Sequence, residues 1–140
     1  MPIEFALSRK LTRFGLISDP RIPVTVLTVP RPQTFRFLLD TGADFSLAPR
    51  RLAEEAGLSW SSLDEVQVVG VERRGVTARL GQLPLRIGTT ELSVRCVYVQ
   101  GPGAPFILGR ADFLDRFVLT IDTRRERILL DEIGGAPSSD

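Results

Sequence analysis

The residues best suited to chemistry lie in one stretch, Leu38-Leu39-Asp40-Thr41-Gly42-Ala43-Asp44. Asp40 follows an apolar segment typical of a strand, and Thr41-Gly42 indicates a tight turn directly after it. Such a place can hold a carboxylate partly out of water, which lets an acid act as a catalyst near neutral pH. The Asp-Thr-Gly triplet occurs once, because Asp122-Thr123 continues into Arg124. A pair of catalytic carboxylates would therefore require a second copy of the chain.

The residues that are missing exclude several other chemistries. The chain has no histidine, so Ser-His and Cys-His nucleophile pairs have no base. A single cysteine cannot build a thiolate metal site, and zinc sites with histidine ligands are also excluded. We expect Cys96 to be a buried strand thiol, because it lies in the alternating run from Leu92 to Val99. A reducing compartment fits a chain that can form no intramolecular disulfide.

Length and composition are those of an ordinary globular domain. The 140 residues are 43% hydrophobic and 25% charged, with a net charge of +1, which suits one domain with a real core. The 18 basic residues are scattered and form no stripe, so we expect no nucleic-acid partner. The first ten residues do not resemble a secretory signal, and no apolar run is long enough to span a membrane. We therefore predict a soluble, cytoplasmic protein, and the start at Met1 favours a stand-alone product over one cut from a longer precursor.

Most of the chain consists of short apolar runs separated by Gly or Pro, which predicts strands. Two short helices are expected, at 49–57 and 110–117, the first with Pro49 in its opening turn. Residues 66–80 are expected to form a hairpin whose tip is Val71-Glu72-Arg73-Arg74. The remaining predicted strands cover 24–29, 34–39, 83–87, 92–99, 106–108, 118–122 and 127–130. This spacing favours an all-β barrel or sandwich with two small helices.

The order of these features resembles the retroviral-type (retropepsin-like) aspartic proteases, which are single-domain homodimers. The resemblance rests on Asp40-Thr41-Gly42-Ala43-Asp44, a flap-like hairpin at 66–80, and Ile107-Leu108-Gly109-Arg110 some 67 positions after Asp40. It implies a closed, barrel-like acid-protease fold with a flap hairpin and one or two short helices, with one lobe per chain. It divides the chain into an N-terminal extension at 1–21, a protease domain at 22–133 and a flexible tail at 134–140.

The resemblance also implies a role for individual residues. The catalytic residues would be Asp40, Thr41 and Gly42, with a water activated between the Asp40 carboxylates of two subunits and with no metal or cofactor. Gly109 and Arg110 would give structural support, and Arg110 would pair with Asp44. Peptide or protein substrate would be bound by Ala43, Asp44, Phe45, Leu47, Gly70, Val71, Glu72, Arg73, Pro105 and Ile107.

Several of these assignments have simpler alternatives. Asp40 could be a turn or cap aspartate, Asp44 and Arg110 could be unpaired surface residues, and core packing alone could explain Ile107. The flap tip departs from viral members, which have an apolar residue in a glycine-rich tip where this chain has Glu72-Arg73-Arg74. That tip could favour acidic substrates, or it could be a solvated turn.

Two further departures concern the adjoining pocket and the termini. Phe45 stands where some relatives carry a second acid, which would make that pocket more apolar. Viral dimers are joined by short terminal strands in a shared sheet, whereas this chain has about 20 residues before its first predicted strand. The dimer contact is therefore expected to differ from the viral one.

Three functional hypotheses follow. The first is an aspartic endopeptidase that is active as a homodimer at mildly acidic pH. The second is a catalytically weak or inactive peptide-binding or dimerisation module of the same fold, a reading favoured by the altered flap tip and opposed by the intact Asp40-Thr41-Gly42. The third is a protease that regulates itself through weak dimerisation.

Overall fold

The computed structural model describes residues 1–67, 77–101 and 103–134. The predicted flap tip, Val71 to Arg74, lies outside these residues, as does the predicted tail from residue 135 onward. In the described residues one helix, α1, spans Arg50–Glu55. The strands are β1 Ile3–Ala6, β2 Ser8–Thr12, β3 Gly15–Asp19, β4 Arg21–Val26, β5 Gln33–Leu39, β6 Ser46–Pro49, β7 Asp64–Val66, β8 Ala78–Ile87, β9 Thr90–Val99, β10 Ile107–Leu108, β11 Phe117–Asp122 and β12 Arg127–Glu132.

Six strands form a closed barrel, which confirms the predicted fold class. They follow the order β4-β5-β10-β6-β9-β8, and β8 closes the ring by pairing with β4 at Thr25–Arg86 and Val26–Leu85. Alternate side chains of β4 point inward, so Ile22, Val24 and Val26 are fully buried. Closure leaves these strands without free edges, and their inward side chains make the main hydrophobic core.

The terminal segments form a second layer of structure. A three-stranded sheet has the order β1-β12-β11, in which Ile3–Ala6 of β1 pair antiparallel with Arg127–Leu130 of β12. The strands β2 and β3 pair only with each other. None of the three N-terminal strands follows from the sequence pattern alone.

The predicted helix at 110–117 is wrong. The structure has turns there, followed by a single 3-10 turn at Leu114–Arg116, and Phe117 already begins β11. Asp112 adopts a left-handed backbone with φ of 67°, which an α-helix cannot accommodate. Pro49 also differs from its predicted place: it is the cap residue before α1 and ends β6, because the helix starts only at Arg50.

The base of the predicted flap hairpin is visible. The strand β7 runs antiparallel to the start of β8, with Val66 opposite Ala78. The connecting residues 68–76 are outside the described part of the chain. Gly134 is the last described residue of the predicted tail.

Candidate active site

Asp40 lies at the end of β5, where the backbone is held from two sides. Its N–H donates to the carbonyl of Leu108 at 3.0 Å, and the N–H of Leu39 donates to the carbonyl of Pro20 at 3.0 Å. Leu39 is buried and anchors the strand end in the core, whereas Asp40 is half-buried. The neighbouring strands therefore fix the point at which the carboxylate leaves the barrel.

The turn after Asp40 is closed by its own side chain. The N–H of Gly42 donates to Asp40 Oδ1 at 2.9 Å, and the N–H of Ala43 donates to the Asp40 carbonyl at 3.1 Å. An aspartate that binds the backbone two residues later is a common turn-forming device. A Cβ at Gly42 would lie 3.3 Å from Asp40 Oδ1, so the missing side chain permits this close approach. The carboxylate is thus oriented by the loop.

Arg110 joins both sides of this loop. Its Nη2 donates to Asp44 Oδ1 at 2.5 Å, and its Nη1 donates to the carbonyl of Thr41 at 2.6 Å. The backbone N–H of Arg110 also donates to the carbonyl of Ala43 at 2.9 Å. A planar guanidinium suits such a fixed fork of acceptors better than an ammonium group does. The predicted contact between Asp44 and Arg110 is present, although both side chains are largely exposed.

A buried serine adds a support that the sequence analysis missed. The Ser46 hydroxyl is fully buried and accepts a hydrogen bond from the N–H of Gly109 at 3.1 Å. A Cβ at Gly109 would lie 2.5 Å from the Phe45 carbonyl oxygen and 2.8 Å from that of Ala43. Only glycine fits between β10 and this loop without displacing backbone. The sequence signal was a single serine in the otherwise apolar segment 46–49, because a buried hydroxyl group is rarely left without a hydrogen-bond partner.

The described members of the predicted substrate-binding set lie in the Asp40 loop, in β6, and in or just before β10. Ile107 of β10 is the antiparallel neighbour of Leu47 of β6, and both are half-buried. Leu47 packs against a small buried cluster of Ala78, Val97 and Val99 that is separate from the main core. Ala43 is half-buried, and Phe45 and Pro105 are exposed, Pro105 just before β10. The other four predicted residues, Gly70, Val71, Glu72 and Arg73, lie outside the described residues.

A second ion pair beside Phe45 was also missed. Arg95 of β9 donates from Nε and Nη2 to the two carboxylate oxygens of Asp112 at 2.8 and 3.1 Å. This hydrogen bonding holds the pKa of Asp112 below its ordinary value. The Arg95 guanidinium carbon also lies 5.4 Å from the centre of the Phe45 ring, within cation–π range. Asp112 has a left-handed backbone, which the sequence does not reveal.

Other candidate chemistry is scarce in the described ranges. Cys96 is fully buried, as predicted, and burial raises the pKa of its thiol. Among the described residues no cluster of Cys, Asp or Glu has the arrangement of a metal site. None of the helices there is long and apolar enough to cross a bilayer.

Solved structures resembling this chain include two retropepsin-like domains. A retropepsin-like aspartic protease from Rickettsia conorii is 19% identical, with a TM-score of 0.63 over 93% of this chain and 91% of its own. The retroviral protease-like domain of Ddi1 from Leishmania major is 20% identical, with a TM-score of 0.59 over 84% of this chain and 95% of its own. Both similarities establish the retropepsin-like fold. Among curated protein sequences no significant match is found.

A sequence family described as aspartyl protease matches residues 22–111. This range covers more than half of the chain and includes the Asp40 loop, β6 and the end of β10. The chain therefore belongs to the aspartyl protease family and has a retropepsin-like fold.

Proposed function

We propose that this protein is an aspartic endopeptidase that is active as a homodimer. The observation that carries the proposal is the Asp40 loop, in which the carboxylate is oriented by the Gly42 N–H and the loop is fastened by Arg110. One chain supplies one such carboxylate, so a second copy must supply the other across a two-fold axis.

The proposed reaction uses a water held between the two Asp40 carboxyl groups. Two carboxylates in contact cannot both ionise easily, so the pair shares one proton, as in aspartic proteases generally. The ionised member accepts a proton from the water as its oxygen attacks the peptide carbonyl. The protonated member donates a hydrogen bond to the developing oxyanion, and proton transfer to the nitrogen then accompanies cleavage of the C–N bond.

The residues around the loop are proposed to bind an extended peptide. Ala43, Leu47 and Ile107 offer half-buried apolar surface, and Phe45 and Pro105 offer exposed surface. Thr41 is proposed to bond across the interface through its hydroxyl. Gly70, Val71, Glu72 and Arg73 are also proposed to bind the peptide. The protein is further proposed to act in the cytoplasm, since its single thiol is buried and needs no oxidising compartment.

The proposal is tested by digesting a peptide library between pH 3 and 7 with the wild type and Asp40→Asn. We expect cuts that vanish in Asp40→Asn and persist in Asp115→Asn, a matched change at an exposed carboxylate. Peptides retained without cuts by a dimeric wild type would instead favour the binding-module hypothesis, which the charged flap tip motivates.

The shared site is tested by mixing. Adding an equal amount of Asp40→Asn to a fixed amount of wild type should lower activity to about half, because mixed dimers hold one intact Asp40. Unchanged activity under conditions of subunit exchange would contradict a site that two chains share. Activity rising with the square of concentration in dilute solution would indicate weak dimerisation.

A further inference from the structure

The strands β2 and β3 form a hairpin that stands apart from the two larger sheets, and we call residues 8–19 the N-terminal hairpin. It carries four exposed large apolar side chains within seven residues, namely Leu11, Phe14, Leu16 and Ile17. Leu11 and Leu16 are cross-strand partners and are 78% and 62% exposed. Phe14, at the turn, is 87% exposed. Such a concentration of apolar surface is typical of an interaction site.

The hairpin has few contacts with its own subunit. The Leu7 N–H donates to the Glu126 carbonyl at 2.9 Å, and Arg9 pairs with the Glu126 carboxylate at 2.9 Å. Beyond these contacts, an open cleft of about 170 Å³ separates the hairpin from the turn between β11 and β12. An isolated two-stranded hairpin is marginally stable in water, so this one is expected to gain stability from a partner.

The root of the hairpin lies beside the candidate catalytic residue. Its last pair is Ser8–Asp19, and Asp19 binds Arg21 at the start of β4 at 2.7 Å. The next residue, Pro20, accepts the hydrogen bond from Leu39, the neighbour of Asp40. Adjacent strands lie about 4.8 Å apart, whereas five strand residues extend about 17 Å. Each strand of the hairpin is therefore several times longer than the spacing between its root and β5, the strand that leads to Asp40.

We propose that the N-terminal hairpin is an arm that packs on the second copy of this chain, through Phe14 and the Leu11–Leu16 face. This inference rests on the proposed function, because two Asp40 carboxyl groups in contact place the two-fold axis beside residue 40. An element rooted at residue 20 then begins at the subunit interface, and its exposed apolar surface has the partner within reach. The arm would thus add to the contact that assembles the shared site.

The first test measures the dimer dissociation constant by sedimentation. Leu11→Ser combined with Leu16→Ser is expected to raise it at least tenfold, equivalent to about 1.4 kcal/mol. Phe14→Ser should raise it as well and should leave folding intact, because the side chain is 87% exposed. The matched control is Val29→Ser, which alters a 61% exposed side chain. Val29 follows the C-terminal end of β4, whereas Asp40 lies beside the N-terminal end of that strand. The dissociation constant of this control should stay at the wild-type value.

The second test measures proximity through Phe14→Cys labelled with a thiol-directed photo-crosslinker. Cys96 is fully buried, so the reagent should modify the introduced thiol. Illumination should give a covalent dimer with Phe14→Cys and none with Val29→Cys. The activity lost by the serine variants in dilute solution should return at high protein concentration, because the site itself is intact.

The outcomes separate this inference from the proposed function. A dimeric, active wild type with unchanged dissociation constants in all hairpin variants would overturn the arm and leave the protease intact. A wild type that is monomeric at all concentrations would overturn both. Hairpin-dependent binding to vesicles of phosphatidylcholine and phosphatidylglycerol, with no change in dimerisation, would overturn the arm in favour of a lipid surface.

Discussion

The sharpest test of the candidate site is Gly109→Ala, which adds one methyl group between β10 and the Asp40 loop. The new Cβ would lie 2.5 Å from the Phe45 carbonyl oxygen and 2.6 Å from its carbonyl carbon. These are backbone atoms, so no side-chain rotation can relieve the contact. The backbone at Gly109 must therefore move away from the Asp40 loop. This movement affects Asp40, because its N–H donates to the carbonyl of Leu108, the residue before Gly109.

The size of the effect follows from these distances. An ordinary contact begins near 3.4 Å, so the gap must open by about 0.9 Å. Overpacking of this kind typically costs about 1–3 kcal/mol of the free energy of unfolding. A catalytic group misplaced by about 1 Å can lose about 100-fold in rate. We therefore expect Gly109→Ala to lose about 2 kcal/mol of stability and about 100-fold in kcat/KM.

Urea denaturation and a peptide-cleavage assay measure the two effects independently. The matched control is Gly134→Ala, because a Cβ at that position meets nothing within 4 Å. Its left-handed backbone should cost about 1 kcal/mol of stability without a loss of kcat/KM. A Gly109→Ala protein as stable and active as the wild type would refute the close approach of β10 to the loop.

Three further predictions concern buried or paired groups. Ser46→Ala leaves the Gly109 N–H without its acceptor and should lower the free energy of unfolding by about 1–3 kcal/mol. A urea midpoint equal to that of the wild type would contradict this expectation. Cys96 should resist a thiol reagent in the native protein and react after unfolding in guanidinium chloride, because burial raises its pKa and removes access; rapid native labelling would argue against burial. The pKa of Asp112 lies below its ordinary 3.8 beside Arg95, so the charged form is favoured by folding. That stabilisation is present above the unfolded pKa and is lost as the pH falls through the folded pKa. The midpoint temperature of thermal unfolding should therefore fall more steeply with decreasing pH for the wild type than for Asp112→Asn.

The sequence predicted the fold where local pattern decides structure. The alternation and turn residues of β4, β5, β9, β11 and β12 mark these strands, and Gly57 ends the region of α1. The predicted second arm of the 66–80 hairpin and the predicted strand 83–87 are instead one strand, β8. The prediction from sequence failed where a residue distant in the chain determines the local structure. The β1 strand exists because β12 pairs with it across the whole chain, and the proposed helix after Gly109 is broken where Asp112 turns to meet Arg95. Neither pairing has a local signature.

The candidate site shows the same division. The motif Asp40-Thr41-Gly42 identifies the loop, because the turn chemistry is contained in the triplet itself. The Ser46–Gly109 hydrogen bond joins residues 63 positions apart and depends on how two strands approach each other. The substrate-binding residues are predicted only through the family resemblance, and the order of strands around the barrel decides that Leu47 and Ile107 are neighbours.

The terminal strands bear directly on how a dimer would be built. In viral relatives the termini of two subunits share one sheet, whereas here β12 already has β1 on one side and β11 on the other, all from one chain. Both edges of β12 are therefore occupied, and a partner strand could join this sheet only at β1 or β11. A dimer that leaves these two outer edges unpaired needs apolar contact elsewhere near its axis. The N-terminal hairpin, whose root lies beside Asp40, is proposed to offer that surface, and for this reason we expect its variants to weaken assembly before they affect the chemistry of the site.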